Sequence, residues 1–239
     1  MAMRARAIAK RTVRTFVRRL GYDIVPFAGG LVDLQRQLLR QTPVVLDVGA
    51  NVGQYAERLR DLGYEGRIVS FEPGSKAFHL LTSRAQADVS WEARNVALGA
   101  ECGTATLQVS ANSVSSSLLG VAPEHLAAAP ASTVIAFEEV RLSTLDTEVN
   151  NLPGPYWLKL DVQGFELSVL KGGESALDRA LAIQAELSFG DLYEDQTDWL
   201  ELTSFLRDRG FKLRYVEPGF HDPSNGYTLQ ADAIFVRTN

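Results

Sequence analysis

Two groups of residues in this 239-residue sequence have the types and spacing that chemistry on a charged or hydroxylated ligand requires. The first is Asp47-Val48-Gly49-Ala50-Asn51-Val52-Gly53, an acid followed by a glycine turn. Gly49 and Gly53 remove side chains where backbone must meet a ligand, Asn51 tolerates a left-handed turn, and the turn's amides, with that of Ala50 among them, then line the pocket. Glu72 stands 25 residues after Asp47 and is followed by Pro73, so its carboxylate is placed to accept hydrogen bonds from both hydroxyls of a ribose. The second group is a set of acids at strand ends, Asp161, Glu186 and Asp232, with Lys159 on the strand face of Asp161 by the two-residue period. The ordinary alternatives are a capped turn, a surface acid, a helix cap and a structural ion pair.

The glycine turn separates two nucleoside cofactors. Its spacing, Asp-x-Gly-x-Asn-x-Gly, lacks the Gly-x-Gly-x-x-Gly that a dinucleotide pyrophosphate calls for. S-adenosylmethionine (SAM) carries an ammonium and a sulfonium and no pyrophosphate, so Asp47 makes better electrostatic sense beside SAM than beside phosphates. The turn therefore points to SAM.

The elements that must hold these residues follow from periodicity and punctuation. A helix is expected over 30–40, stopped by Pro43, then a buried strand over 44–48 and a helix over 55–62. The unit repeats as strand 67–71, helix 75–87 and strand 89–94, and resumes as strand 156–161, helix 164–170, strand 181–187 and helix 195–209. Between them, 104–109 and 135–142 alternate at period two and predict a strand pair around 110–133, the least ordered-looking stretch. The closing strands, 211–216 and 228–236, have no helix between them and are expected to be antiparallel neighbours. This alternation predicts an α/β fold, a mostly parallel sheet with helices on both faces and an antiparallel last strand. Residues 43–239 form one domain in this reading, after a helical extension over 1–42.

Composition agrees with an ordinary globular domain: 46% hydrophobic and 22% charged residues exclude disordered and collagen-like chains. Cys102 is the one cysteine, so an intrachain disulfide is excluded and a reducing cytoplasm is the expected compartment. The net charge of −5 is uneven, because the first 20 residues carry +7 and leave −12 on the remainder. Ile8, Val13, Phe16, Val17 and Leu20 recur at helical spacing among those bases, which reads as a basic amphipathic helix. Such a helix packs on its own domain or on a second copy as a homodimer, or touches anionic lipid at the inner membrane face.

Taken with Phe71-Glu72-Pro73 and Lys159-Leu160-Asp161-Val162-Gln163-Gly164-Phe165-Glu166, the glycine turn resembles the FkbM family of SAM-dependent methyltransferases. The match runs on through Asn95-Val96-Ala97-Leu98, Ser115-Ser116-Ser117-Leu118, Thr144-Leu145-Asp146, Leu170-Lys171-Gly172 and Asp232-Ala233-Ile234-Phe235-Val236. The resemblance implies a Rossmann-like class I methyltransferase with a seven-stranded sheet. It implies SAM contacts at Gly49, Asn51, Gly53 and Glu72, with Asn95 and Ala97 near the adenine. It also implies O-methylation of a sugar, mannose- or rhamnose-containing glycans, glycolipids and polysaccharides being candidate acceptors. Gln163 departs from the Glu that the family most often places there.

Methyl transfer from a sulfonium is an in-line displacement, and a sugar alcohol is a weak acid, so a general base or a Lewis-acidic metal must support the developing alkoxide. The all-oxygen trio Asp161, Glu186 and Asp232 suits Mg²⁺ or Mn²⁺, similar to catechol-type methyltransferases; the alternative is that Asp161 and Glu186 bind substrate hydroxyls directly. Lys159, Asp161, His221 and His125 are the candidate catalytic groups, the two histidines lying in loops that could cover the substrate. Glu166, in the first turn of its helix, is expected to complement the helix dipole. Nucleic-acid methylation is disfavoured by the acidic domain, the absence of an Asn-Pro-Pro-Tyr motif and the lack of a proline before Cys102. Another small-molecule alcohol as acceptor, and a non-catalytic SAM-binding module, remain as alternatives.

Overall fold

Short apolar runs become strands and the segments between them become helices in the computed structural model, which describes residue 17 and residues 31–238. The basic helix expected over the first 20 residues, with its membrane and dimer readings, otherwise lies outside the described residues. Helix α1 (Leu31–Leu39) is followed by β1 (Val44–Val48), α2 (Gln54–Asp61), β2 (Arg67–Phe71), α3 (Ser75–Ala85) and β3 (Trp91–Arg94). All five residues of β1 are buried, as a strand covered on both faces by helices requires. The third strand starts two residues later than the sequence suggests. Asp88 accepts a hydrogen bond from the Ser90 amide at 2.9 Å and pairs with Arg60 at 2.7 Å, and that turn leaves Val89 exposed.

The remaining strands are β4 (Ala97–Leu98), β5 (Gly103–Ser110), β6 (Val134–Ser143), β7 (Tyr156–Leu160), β8 (Ala180–Ser188), β9 (Phe211–Pro218) and β10 (Gln230–Arg237). Between them lie helices α4 (Pro123–Ala128), α5 (Leu145–Val149), α6 (Glu166–Lys171), α7 (Glu174–Asp178) and α8 (Trp199–Asp208). Seven strands form one sheet in the order β3-β2-β1-β7-β8-β10-β9, and β10 runs antiparallel to both of its neighbours. This is a Rossmann-like α/β fold. The strand order reverses between β1 and β7, so the carboxyl ends of those strands flank the crevice where such sheets bind ligands.

The strand pair expected around the insertion exists, but it belongs to a separate sheet of order β4-β6-β5. Strand β4 is two residues long, too short to carry a periodic signal in the sequence. Residues 110–133 are also more ordered than their composition suggests. They hold α4 and 3₁₀ turns at Ser113–Ser115 and Pro130–Ser132, tied together by polar side chains. Ser132 Oγ lies 3.0 Å from both Ser115 Oγ and His125 Nε2, and Asn112 Oδ1 accepts from the Ser115 amide at 2.9 Å.

Helix α6 begins at Glu166, later than expected, because Gln163 (φ 55°) and Gly164 (φ 95°) are left-handed and turn the chain at the end of β7. Helix α8 begins after Asp198, whose side chain accepts from the Leu200 amide at 2.7 Å. A continuous apolar core, with Leu46, Leu158, Ile183 and Phe235 at its centre, joins the sheet to these helices. The compact unit spans Gln35–Asn239 and thus takes in part of α1. No helix among the described residues is long and apolar enough to cross a membrane.

Gly53 precedes α2 with φ +91°, and a Cβ there would stand 2.8 Å from the Trp91 ring and 2.9 Å from Leu81 Cδ1. Backbone strain and overpacking add, so Gly53→Ala is expected to lower the unfolding free energy by about 2–4 kcal/mol. The midpoint and slope of a urea titration measure it.

Candidate active site

Around the carboxyl ends of β1, β2 and β7 opens a cleft of roughly 660 Å³, lined by Gly49, Asn51, Glu72, Ala97, Asp161 and Gln163 among others. The backbones of β1 and β7 meet closely here. A Cβ on Gly49 (φ +75°) would lie 1.9 Å from the Asp161 carbonyl oxygen, so no other residue fits without moving a strand. Glu72 is held across the turn, with Oε2 accepting from the Asn51 amide and Oε1 from the Gly74 amide, both at 2.8 Å. Burial pushes its pKa up to about 7, although the amides of Gly74 and Asn51 and the charge of Lys159 pull the other way. Asn51 (φ 48°) donates through Nδ2 to Ser113 Oγ at 3.3 Å, and its buried Oδ1 has no partner among the described residues.

Four of the expected cofactor contacts therefore line the cleft: Gly49, Asn51, Glu72 and Ala97. The other four act behind it. The Ala50 amide is used on the Phe71 carbonyl, Gly53 makes room for Trp91, and Asp47 is fully buried. Asn95 donates through Nδ2 to the carbonyls of Glu72 and Pro73 at 2.9 Å, so it pins the loop that carries Glu72. The apolar walls, which include Val96, Leu107, Leu118 and Phe165, come from the small sheet, the insertion and the turn after β7. The sequence gives no periodic signal that would single out these wall residues.

One layer below the rim, Ser70, Asp47, Lys159 and Gln184 sit opposite one another on β2, β1, β7 and β8 and form a buried polar row. Trp91 Nε1 donates to Ser70 Oγ at 3.0 Å, and Ser70 Oγ donates to Asp47 Oδ2 at 3.1 Å. Lys159 Nζ is 3.3 Å from Asp47 Oδ1 and 3.3 Å from Asp161 Oδ2, and it donates to the Gly49 carbonyl at 3.1 Å. Burial works against the lysine's charge, but Asp161 and Asp47 together outweigh it and hold the ammonium above the ordinary lysine range. A permanently protonated amine cannot take a proton, so Lys159 is not a general base; of its expected roles, ion pair and electrostatic support fit.

A second cleft of roughly 650 Å³ adjoins the first, and Val114, Asp161 and Gln163 line both. Its other walls include Ser115, His125, Glu186, Phe220 and Gln230. Gln163 Nε2 donates to Asp161 Oδ1 at 2.7 Å and to Glu186 Oε2 at 3.0 Å, while Gln163 Oε1 accepts from the Tyr193 hydroxyl at 2.5 Å. Gln230 Nε2 adds a second bond to Glu186 Oε2 at 2.7 Å. Burial, followed by the nearby carboxylates of Asp161, Glu166 and Asp232, raises the pKa of Glu186 well above the usual carboxylate range.

The acids expected to hold Mg²⁺ or Mn²⁺ do not assemble as ligands. Among the described residues no group of three His, Cys, Asp or Glu side chains is placed to bind a metal ion. The physical reason is that the Gln163 amide hydrogens bridge Asp161 and Glu186, where a cation would have to sit. Asp232, paired with Glu186 across β10 and β8, lines neither cleft and instead accepts from Gln184 Nε2 at 3.2 Å. His221 also departs from expectation: it is exposed, bridges to Thr228 and lines neither cleft, and its neighbour Phe220 reaches the second cleft in its place. His125 does line that cleft, but burial lowers its pKa, its Nε2 meets Ser132, and its ring packs edge-on against Tyr193 at 5.0 Å. Glu166 accepts from the amides of Val162 and Gly164 at 3.1 and 3.3 Å, so it ties down the turn ahead of α6.

With this geometry in view, the comparisons with known proteins are direct. The family model described as the methyltransferase FkbM domain matches residues 47–213, and the chain belongs to that family. It is 26% identical over 198 residues to the hexuronic acid methyltransferase AglP of Haloferax volcanii, covering 77% of this chain and 76% of that protein. Among solved structures, the methyltransferase FkbM from Methylobacillus flagellatus superposes with a TM-score of 0.51 at 16% identity. That superposition takes in 82% of this chain and 43% of the other, so this chain spans less than half of that protein's length. The fold is that of a Rossmann-like class I methyltransferase.

Removing one partner of a buried ion pair leaves the other uncompensated, so Lys159→Met is expected to cost about 3–5 kcal/mol of stability. Chemical denaturation of the variant beside the parent checks it. Glu72 also gives a pH signature. Its folded pKa lies above that of an unfolded glutamate, so between about 4.5 and about 7 the folded state holds the extra proton and stability falls as pH rises through that window. Melting temperatures of the ligand-free protein and of Glu72→Gln across this range are expected to converge at low pH and to favour the Gln variant as pH rises.

Proposed function

We propose that the chain is a SAM-dependent O-methyltransferase whose acceptor is a sugar hydroxyl, such as that of a mannose- or rhamnose-containing glycan, glycolipid or polysaccharide. The observation that carries this reading is the junction of two clefts at Asp161 and Gln163, one built like a nucleoside site and the other walled by hydroxyl-binding groups. Membership of a methyltransferase family and a 26% identical relative named for a hexuronic acid support a carbohydrate acceptor.

The residues of the first cleft fit SAM. Gly49 lets the turn pass directly against the Asp161 carbonyl at the edge of the cleft, and Asn51 Oδ1, without a partner among the described residues, and the Glu72 carboxylate are acceptors suited to an ammonium or ribose hydroxyls. Val96, Ala97 and Phe165 offer an apolar wall to an adenine. SAM, when bound, supplies a methyl group on a sulfonium that leaves as a neutral thioether.

In the second cleft Glu186 is the proton acceptor. Both amide donors converge on its Oε2, which leaves Oε1 to take the hydroxyl proton as the sugar oxygen becomes nucleophilic. Burial and the neighbouring carboxylates raise its pKa above that of an ordinary glutamate, which makes its ionised form a stronger base. Gln163 holds Asp161 and Glu186 in register across the junction, and Lys159 fixes Asp161 from below. No step is routed through a metal, since the Gln163 amide bridges the two acids that would coordinate it.

A methyl-transfer assay with labelled SAM against mannose- and rhamnose-containing glycans tests the proposal, with label expected on a sugar oxygen; label on RNA or protein alone would overturn it. Glu186→Gln is expected to lower kcat about 100-fold or more while leaving SAM affinity unchanged. In the parent enzyme kcat should fall as pH drops through the raised Glu186 pKa. Glu72→Ala should instead weaken SAM binding by about tenfold or more, read by calorimetry.

A further inference from the structure

We infer that the second cleft selects an uncharged sugar ring and rejects a uronate, because an acceptor seated there meets the carboxylates of Asp161 and Glu186 and no cationic side chain among the described lining residues. This deepens the reading above and rests on it.

The charges around the acceptor come from every element packed there. Asp161 ends β7, Glu186 lies on β8, Asp232 faces it from β10, Glu166 opens α6, and Asp47 lies below on β1. The one lysine of this group, Lys159, is already placed between Asp47 and Asp161, 3.3 Å from each. His125, the only histidine among the described residues that line the cleft, is driven toward its neutral form by burial. Arg58 on α2 also acts on Asp232 without lining the cleft, and even with Glu186 carrying a proton the surrounding acids outnumber these two cations.

The neutral walls complete the selection. Asn112, Ser115, Gln163 and Gln230 present amide and hydroxyl groups to the cleft, and Phe220 gives it an apolar face. Sugar hydroxyls donate to the carboxylates and accept from such amides, whereas a uronate carboxylate can only accept and would stand against like charge. Two like charges about 5 Å apart at an effective dielectric near 20 correspond to roughly 300-fold in affinity. The acceptor class is therefore a neutral hexose or deoxyhexose, unlike the hexuronic acid in the relative's name.

Calorimetry on the full chain saturated with S-adenosylhomocysteine tests this without turnover. The titrants are three matched sets, the methyl glycosides of mannose, glucose and galactose, each with its uronic acid and the uronate's methyl ester. In every set whose hexose binds, the hexose and the neutral ester are expected to bind at least tenfold more tightly than the uronate. Glu186→Gln is expected to narrow that gap, its S-adenosylhomocysteine affinity reporting that the variant is folded. A uronate that binds within threefold of its hexose, an ester rejected like the acid, or no hexose binding in any set overturns the inference. S-adenosylhomocysteine binding with equal hexose and uronate affinities sinks the inference alone, whereas failure of the wild-type chain to bind S-adenosylhomocysteine sinks the parent reading with it.

Discussion

A buried ammonium shared by two carboxylates is the interaction on which the rest of the site depends. Lys159 can be charged inside the sheet only because Asp47 on the neighbouring strand and Asp161 beyond its own strand end lie on either side of it. Desolvation of Lys159 and Asp47 is expensive in isolation, and the geometry offsets it by pairing them with each other and with the half-exposed Asp161. The arrangement also sets the spacing of the rim. The same ammonium donates to the Gly49 carbonyl, so the turn that lines the first cleft and the acid that lines both clefts are tied to one atom. This explains why an acid and a lysine that face each other across β1 and β7 behave as framework although both types are common in catalysis.

Above this pair, Gln163 does for the two clefts what Lys159 does for the two strands. Its left-handed backbone lets the amide reach Asp161 and Glu186 at once, and the Tyr193 hydroxyl fixes which way the amide points. A neutral amide can hold two carboxylates together without cancelling their charge. The consequence is an acidic junction in which burial and the neighbouring carboxylates hold the pKa of Glu186 above the usual carboxylate range. The same junction with a glutamate at 163 would gather three acids, a different electrostatic problem.

Part of this was legible beforehand for a plain reason: backbone turns leave strong local signatures. The glycines of Asp47 to Gly53, the Glu72-Pro73 step and the β-branched runs of the parallel strands act within a few residues, so the sheet, the antiparallel closing pair and the first cleft could be read off. Local signals failed where partners are distant. Asn95 and Ala50 sit in the expected motifs, yet their polar groups are committed to carbonyls of the β2 end rather than to the cleft. Residues 110–133 look like a solvated loop by composition, and become a wall because Ser115, His125 and Ser132 satisfy one another there.

The sequence by itself determined the class of fold, the place of the glycine turn and the presence of acids at the strand ends, since these follow from periodicity and from residues acting on their immediate neighbours. Only the tertiary structure decided which acids meet and what lies between them. Asp161 and Glu186 are separated by 25 positions in the chain and joined by one amide, Asp232 is drawn aside to Gln184, and Phe220 enters where His221 was expected. Electrostatic coupling of this kind depends on distance and burial in three dimensions, and neither is written in the order of the residues.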